Sequence, residues 1–276
     1  MLRRLLTDIT PPVLLRLRRG PAVRLRSASE AASVNWRAYH DARIVDIVSR
    51  KTAVYRRELD TGNPRLVGNR QMTQDMFVLA RVHPNKPLSV MELGGACGAT
   101  YFEQDRLQPG RIRSWYVVET PPMAAAGSQQ FADGRLAFFT DRHDAVARIA
   151  ERDLLIVKGV LQYLQDPLGT LEDLLRFGFD YFYVSRTEVG VDVDRPLILE
   201  RTAALSEHGP GPAPRGFRDG MCTVPAMIVP NGAVLARIAP GYRVAYLFDE
   251  DGGDRVRAGR RGVTTRMLGF LAERTS

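Results

Sequence analysis

Cysteine is nearly missing: the chain has two in 276 residues, Cys97 and Cys222. Two isolated thiols cannot make a disulfide framework or supply a zinc ligand set. They read as reduced small hydrophobes, and no metal site is expected. Lysine is almost as rare, with only Lys51, Lys86 and Lys158, so the positive charge is nearly all arginine. No apolar run reaches the roughly 18 residues that a transmembrane helix needs. The N-terminus lacks an uninterrupted apolar core followed by a small-residue cleavage site, so a cytoplasmic location is expected. No internal repeat is visible.

The net charge of +8 is unevenly placed. Residues 1–26 hold seven arginines (Arg3, Arg4, Arg16, Arg18, Arg19, Arg24 and Arg26) against one acid, Asp8, which leaves +2 for the other 250 residues. A nucleic-acid binder carries its cations across a folded surface. This body is almost neutral, so no nucleic-acid partner is expected. In residues 1–26 leucines alternate with arginines around Pro11-Pro12, giving two short amphipathic pieces. Such an arm suits either packing on the body or peripheral contact with an anionic membrane or a protein.

With 45% hydrophobic and 25% charged residues the composition is that of a globular chain. Residues 27–85 read as helical. Ser33 or Asn35 is placed to cap a helix holding Trp36, Tyr39, Ile44, Ile47 and Val48, and a second helix spans residues 73–82. From Pro87 onward strands and helices alternate. Strands are expected at residues 87–93, 115–118, 136–140, 154–157 and 181–185, with helices at 99–107 and 168–176. Short apolar strands separated by helices mean βαβ units and a parallel sheet buried on both faces. Residues 187–240, with Gly209-Pro210-Gly211-Pro212-Ala213-Pro214 inside, break the rhythm and read as an insertion that overhangs the strands' carboxyl ends. Residues 242–248 and 264–271 close the sheet as an antiparallel pair. The expectation is therefore an N-terminal basic arm and helical extension over 1–85, then a Rossmann-like α/β domain over 86–276. That domain has a seven-stranded, mostly parallel sheet with helices on both faces.

The chemistry sits in Glu92-Leu93-Gly94-Gly95-Ala96-Cys97-Gly98. Here a strand runs into glycines and then a helix, which allows a sharp turn and close approach to a ligand at a helix N-terminus. A dinucleotide fold wants G-x-G-x-x-G, and Leu93 stands where the first glycine should be. The methyltransferase loop, acidic-x-Gly-x-Gly-x-Gly, is met by Glu92, Gly94 and Gly98, with Ala96 at the remaining position. Glu119, ending the second strand, suits an acid that accepts both hydroxyls of a ribose. Asp141, after the third, suits the adenine amino group or a turn. A nicotinamide oxidoreductase lacks support, since no Tyr-x-x-x-Lys pair occurs. Asn/Asp-Pro-Pro-Tyr is absent too.

Four stretches resemble the class I, S-adenosylmethionine-dependent methyltransferases of the LIC12133 type, over about residues 30–271. The first runs from Glu92 to Phe102, like that family's acidic-x-Gly-Gly-x-x-Gly-x-x-Tyr-Phe. The others are Tyr116-Val117-Val118-Glu119, Gly159-Val160-Leu161-Gln162-Tyr163-Leu164-Gln165-Asp166-Pro167, and Ser185-Arg186-Thr187, the last like Asp-Arg-Thr-Pro. The chain departs at Lys158, Ser185 and Glu188. The resemblance implies S-adenosylmethionine as cofactor and in-line methyl transfer to oxygen or nitrogen of a small polar acceptor, such as a sugar or natural-product intermediate. It places Glu92, Gly94, Gly95, Ala96, Gly98, Tyr101, Phe102, Glu119, Asp141, Gly159 and Gln162 on the cofactor side. Tyr163 is expected near the methyl group, where its ring can face a sulfonium. Arg186 is expected to grip a carboxylate or phosphate on the acceptor, and His208, from the insertion, to act as general base. The alternative is a methyltransferase-fold scaffold without turnover.

Overall fold

The computed structural model describes residues 23–62, 70–250, 255–258 and 261–275. The basic arm therefore lies outside the described residues up to position 22. Its end, β1 (Val23–Ser27), is a strand rather than part of an amphipathic piece. Two 3-10 turns lead to α1 (Ala42–Asp60) and α2 (Arg70–Arg81). The cap of α1 is Asp41, whose carboxylate accepts from the Arg43 amide at 2.8 Å, so Trp36 and Tyr39 precede that helix instead of lying in it. The alternating part follows: β2 (Leu88–Leu93), α3 (Ala99–Leu107), β3 (Ile112–Val118), α4 (Pro121–Phe131), β4 (Leu136–Phe139), α5 (Arg142–Arg148), β5 (Leu154–Lys158), α6 (Pro167–Arg176) and β6 (Tyr181–Gly190). The chain ends with β7 (Leu197–Ala204), β8 (Met221–Pro230), α7 (Asn231–Ile238), β9 (Tyr242–Phe248), β10 (Arg255–Ala258) and β11 (Arg261–Arg274).

The seven expected strands are present in the order β4-β3-β2-β5-β6-β11-β9. Neighbours from β4 to β6 are parallel, and β11 alone runs the other way. Alternate residues feed two cores. Val90, Trp115, Leu154, Ile156 and Tyr183 join a core with α1 to α4. Met91, Val118, Leu155, Val157, Phe182 and Val184 join another with α5, α6 and α7. This period of two on both faces is what parallel strands buried by helices require. Among the described residues no helix is long and apolar enough to cross a membrane.

The sheet has eleven described strands, not seven. Much of the surplus lies in residues 187–240, the expected insertion. β6 continues to Gly190, and β7, β8 and β1 form an antiparallel branch joined to its end through Val189–Val229 and Gly190–Pro230. The Gly/Pro stretch is only the connection between β7 and β8. Glu188, where the resemblance expects proline, is 4% exposed and takes both guanidinium arms of Arg201 on β7, plus the Thr265 hydroxyl at 2.7 Å. The branch packs on the turn after β5, with Tyr163 against Leu199, Ala226 and Ile228. It thus roofs the carboxyl ends of the strands.

Candidate functional site

From β4 the chain returns to β5 on the other side of β2, so the winding reverses between β2 and β5. The loops leaving these strands diverge there and open a crevice at the carboxyl ends. One is residues 94–98, the other residues 159–163.

The first loop needs left-handed backbone at Gly94 (φ 72°), Ala96 (φ 50°) and Gly98 (φ 82°). A Cβ on Gly94 would stand 2.5 Å from Val160 Cγ2, so the two loops close directly on one another. A Cβ on Gly95 would stand 2.6 Å from Glu92 Oε2. Ala96 tolerates its strained backbone because its N–H donates to Glu119 Oε1 at 3.0 Å, a charge-assisted bond. Glu92 is buried and braces the loop. Its oxygens accept from Thr100 Oγ1 and Trp115 Nε1, both at 2.9 Å. Burial pushes its carboxyl upward, partly offset by Lys158 and those two donors.

Glu119 faces the loop from the end of β3. Its second oxygen accepts from the Thr120 amide at 2.8 Å. Burial raises its carboxyl, and the Thr120 and Ala96 amides pull it back. A carboxylate offers about four lone-pair sites, so two remain for donors from outside the protein, enough for a pair of sugar hydroxyls.

Around this centre the expected residues divide. Gly159, Gln162 and Tyr163, which follow β5, come together with Arg186 of β6. Gln162 is 4% exposed and donates from Nε2 to the Arg186 carbonyl at 3.2 Å. Its Oε1 is buried without a hydrogen-bond partner, an acceptor suited to a ligand N–H or O–H. Tyr163 stacks edge-on against Tyr39, centroids 5.2 Å apart, and Tyr39 against His208 at 5.7 Å. The Tyr39 hydroxyl is held well above its ordinary range by burial and by Tyr163. His208 is half-buried, and burial lowers its pKa, which leaves a neutral imidazole near pH 7. Its Nε2 lies 3.1 Å from the Cys222 thiol.

Three expected residues have other partners. Asp141 caps α5, accepting from the His143 and Asp144 amides at 2.7 and 3.2 Å, and those bonds lower its carboxyl. Tyr101 and Phe102 turn away from the crevice into the helical core. The Tyr101 hydroxyl donates to Asp133, which precedes β4 and so lies at the strands' amino ends, and Phe102 lies under the Arg56 guanidinium at 4.7 Å. A helix repeat places residues three and four past Gly98 on the face that packs, not on the face that meets a ligand.

A buried polar network between α2 and the ends of β5 and β6 leaves little mark in the sequence. Lys158 Nζ pairs with Asp75 Oδ2 at 2.7 Å. Asp75 also accepts from Tyr183 at 2.8 Å and Gln71 at 3.0 Å. Burial alone would lower the Lys158 ammonium, but Asp75, Glu92 and Glu103 carry it upward. Glu250 accepts from Ser185 Oγ at 2.7 Å and Gln74 at 2.9 Å. The only local signal was Lys158 itself, as a departure from the resemblance. At the opposite strand ends His83, Asp153 and Asp180 bring three ligand-type atoms together. The Lys86 ammonium, 2.6 Å from Asp153 and from Glu151, already supplies a cation there.

No family model and no curated protein sequence matches this chain. Among solved structures it is similar to an S-adenosylmethionine-dependent methyltransferase from Clostridium acetobutylicum ATCC 824, with 11% identity and a TM-score of 0.45 over 76% of this chain and 94% of that one. It is also similar to an O-methyltransferase family protein from Burkholderia thailandensis, with 15% identity and a TM-score of 0.46 over 87% and 62%. A third is magnesium protoporphyrin IX methyltransferase from Synechocystis PCC 6803 with bound S-adenosylmethionine, with 11% identity and a TM-score of 0.42 over 74% of this chain and 80% of that one. At identities this low, residues at matching places need not share roles, so the site stands on its own geometry.

Proposed function

We propose that the chain is an S-adenosylmethionine-dependent methyltransferase acting on a small polar acceptor. The observation that carries the reading is Glu119. It follows β3, beside the loop that leaves β2, braces that left-handed loop through Ala96, and keeps lone pairs for two ribose hydroxyls. Bound there, S-adenosylmethionine supplies an electrophilic methyl group on a sulfonium. The residues suit that group: the loop from Gly94 to Gly98 opens into the N-terminus of α3, and Gln162 Oε1 lacks a partner. The Tyr163 ring can face a cation. The roof formed by β7 and β8 keeps water from the methyl's path and fixes the acceptor, and holding two reactants in line recovers about 7–11 kcal/mol of barrier.

Calorimetry with S-adenosylhomocysteine tests this. The wild type should bind. Glu119→Ala should bind at least about tenfold more weakly, because each hydrogen bond to a charged group contributes about 1.5–3 kcal/mol. Folded wild type that fails to bind the nucleoside removes the proposal. A second reading, a binding protein without turnover, is favoured by the Cys222 thiol sitting on the only imidazole in the crevice's aromatic cluster. Nucleoside binding with no methylation across a panel of hydroxyl and amine acceptors would select it.

A further inference from the structure

Arg186 is the single exposed residue of β6, whose other nine positions are buried. Its backbone is left-handed, φ 51°, a conformation that side chains of this kind seldom adopt. Its N–H donates to the Glu250 carboxylate, and its carbonyl accepts from Gln162 at 3.2 Å. The facing strand β11 shifts register between Leu268 and Phe270. Strain of this sort persists only where the surroundings over-determine it, and it collects at ligand sites. Here it turns one side chain out of a buried strand toward the crevice.

The guanidinium lies against Gly159, where a Cβ would come within 3.2 Å of Arg186 Nη2. A residue without a side chain therefore leaves it room. Among the described residues no carboxylate forms an ion pair with the Arg186 guanidinium. Glu250 reaches the Arg186 backbone amide and is further engaged by Ser185 and Gln74. Lys158, one residue before Gly159, is already neutralised by Asp75, which leaves the Arg186 guanidinium as the cation facing Gly159.

We propose that Arg186 anchors an oxyanion, a carboxylate or a phosphate, carried by the methyl acceptor. This rests on the methyl-transfer reading of the same crevice and narrows it, from any small polar acceptor to an anionic one. A planar guanidinium matches such a group with two parallel hydrogen bonds, which an ammonium cannot do.

The test uses the full chain labelled with 15N-arginine, with and without S-adenosylhomocysteine. The Nε–Hε resonance of Arg186 is assigned from its loss in Arg186→Gly, a substitution that suits the left-handed backbone. Inorganic phosphate and acetate are titrated separately. Arg186's resonance should shift saturably at millimolar concentrations of one of them, and which one names the oxyanion. By calorimetry the same anion should bind at least about tenfold more weakly to Arg186→Gly, with Arg186→Lys in between. No saturable shift with either anion, or equal affinity in Arg186→Gly, overturns the inference. Nucleoside binding without anion binding removes this inference alone. Anion binding without nucleoside binding removes the methyl-transfer reading on which it rests.

Discussion

Lys158→Met strips the ammonium from Asp75 while keeping an apolar stem of similar length. The ion pair is 2.7 Å long, with the two side chains 10% and 1% exposed, so solvent screens it little. Removing one partner of a buried pair costs about 3–5 kcal/mol. Asp75 keeps two donors, Tyr183 at 2.8 Å and Gln71 at 3.0 Å, which puts the expected loss at the lower end, about 3 kcal/mol. In a chain of this size that is a fall in melting temperature of roughly 6–12 °C. Asp75→Asn should cost a similar amount, and the double variant much less than the sum, with a coupling of about 2–3 kcal/mol. Urea denaturation followed by tryptophan fluorescence measures all four proteins, because Trp115 is fully buried beside Glu92. The pH dependence has a definite sign. Lys158 is raised in the fold, so its contribution is complete below the unfolded lysine value of about 10.4 and is lost as pH rises through the folded value. The gap between wild type and Lys158→Met should hold steady near neutral pH and narrow above about pH 10.4. Single losses that add within about 0.5 kcal/mol would refute a coupled buried pair.

Gly94→Ala puts a Cβ 2.5 Å from Val160 Cγ2 on a left-handed backbone. Strain of about 1–2 kcal/mol and overpacking of about 1–3 kcal/mol should both register in urea denaturation. Val160→Ala in the same chain removes the Cγ2 contact but leaves the residue's Cβ 2.6 Å away, so it should recover only part of the overpacking and none of the backbone strain. Asp141→Ala removes the cap of α5. It should lower the melting temperature and leave S-adenosylhomocysteine affinity unchanged in calorimetry; a weakened affinity would give the carboxylate a ligand role. His208 is depressed by burial, so the unfolded chain binds its proton more readily, and stability should fall as pH drops below about 6.5. His208→Gln should remove that component from the pH profile of urea midpoints, and an unchanged profile would contradict the assignment.

The parallel part of the sheet was legible because each strand alternates between two cores and each loop is short. The sequence pattern places α3 at its observed bounds, Ala99–Leu107. β7 and β8 were not legible. They are strands of an antiparallel branch with Pro225 inside one of them, and the Gly/Pro-rich connection between them dominates the local pattern. The glycine loop and Glu119 could be found because strand, turn and helix lie within thirty residues of sequence. The Lys158–Asp75 pair spans 83 positions, and no local periodicity records which helix will cover which strand end. Tyr39 is hidden for the same reason: its spacing suits a helix face, and only the fold carries it to Tyr163 and His208.

β6 is both floor and roof support. Its first half is laddered to β5, its last two residues to β8, and β11 follows it along its length. Glu188 and Arg201 then rivet the roof from inside. A canopy joined this way cannot swing up like a hinged flap without tearing main-chain hydrogen bonds. The branch is therefore a fixed part of the sheet, and its position over the turn after β5 is set by the same strand that carries Arg186.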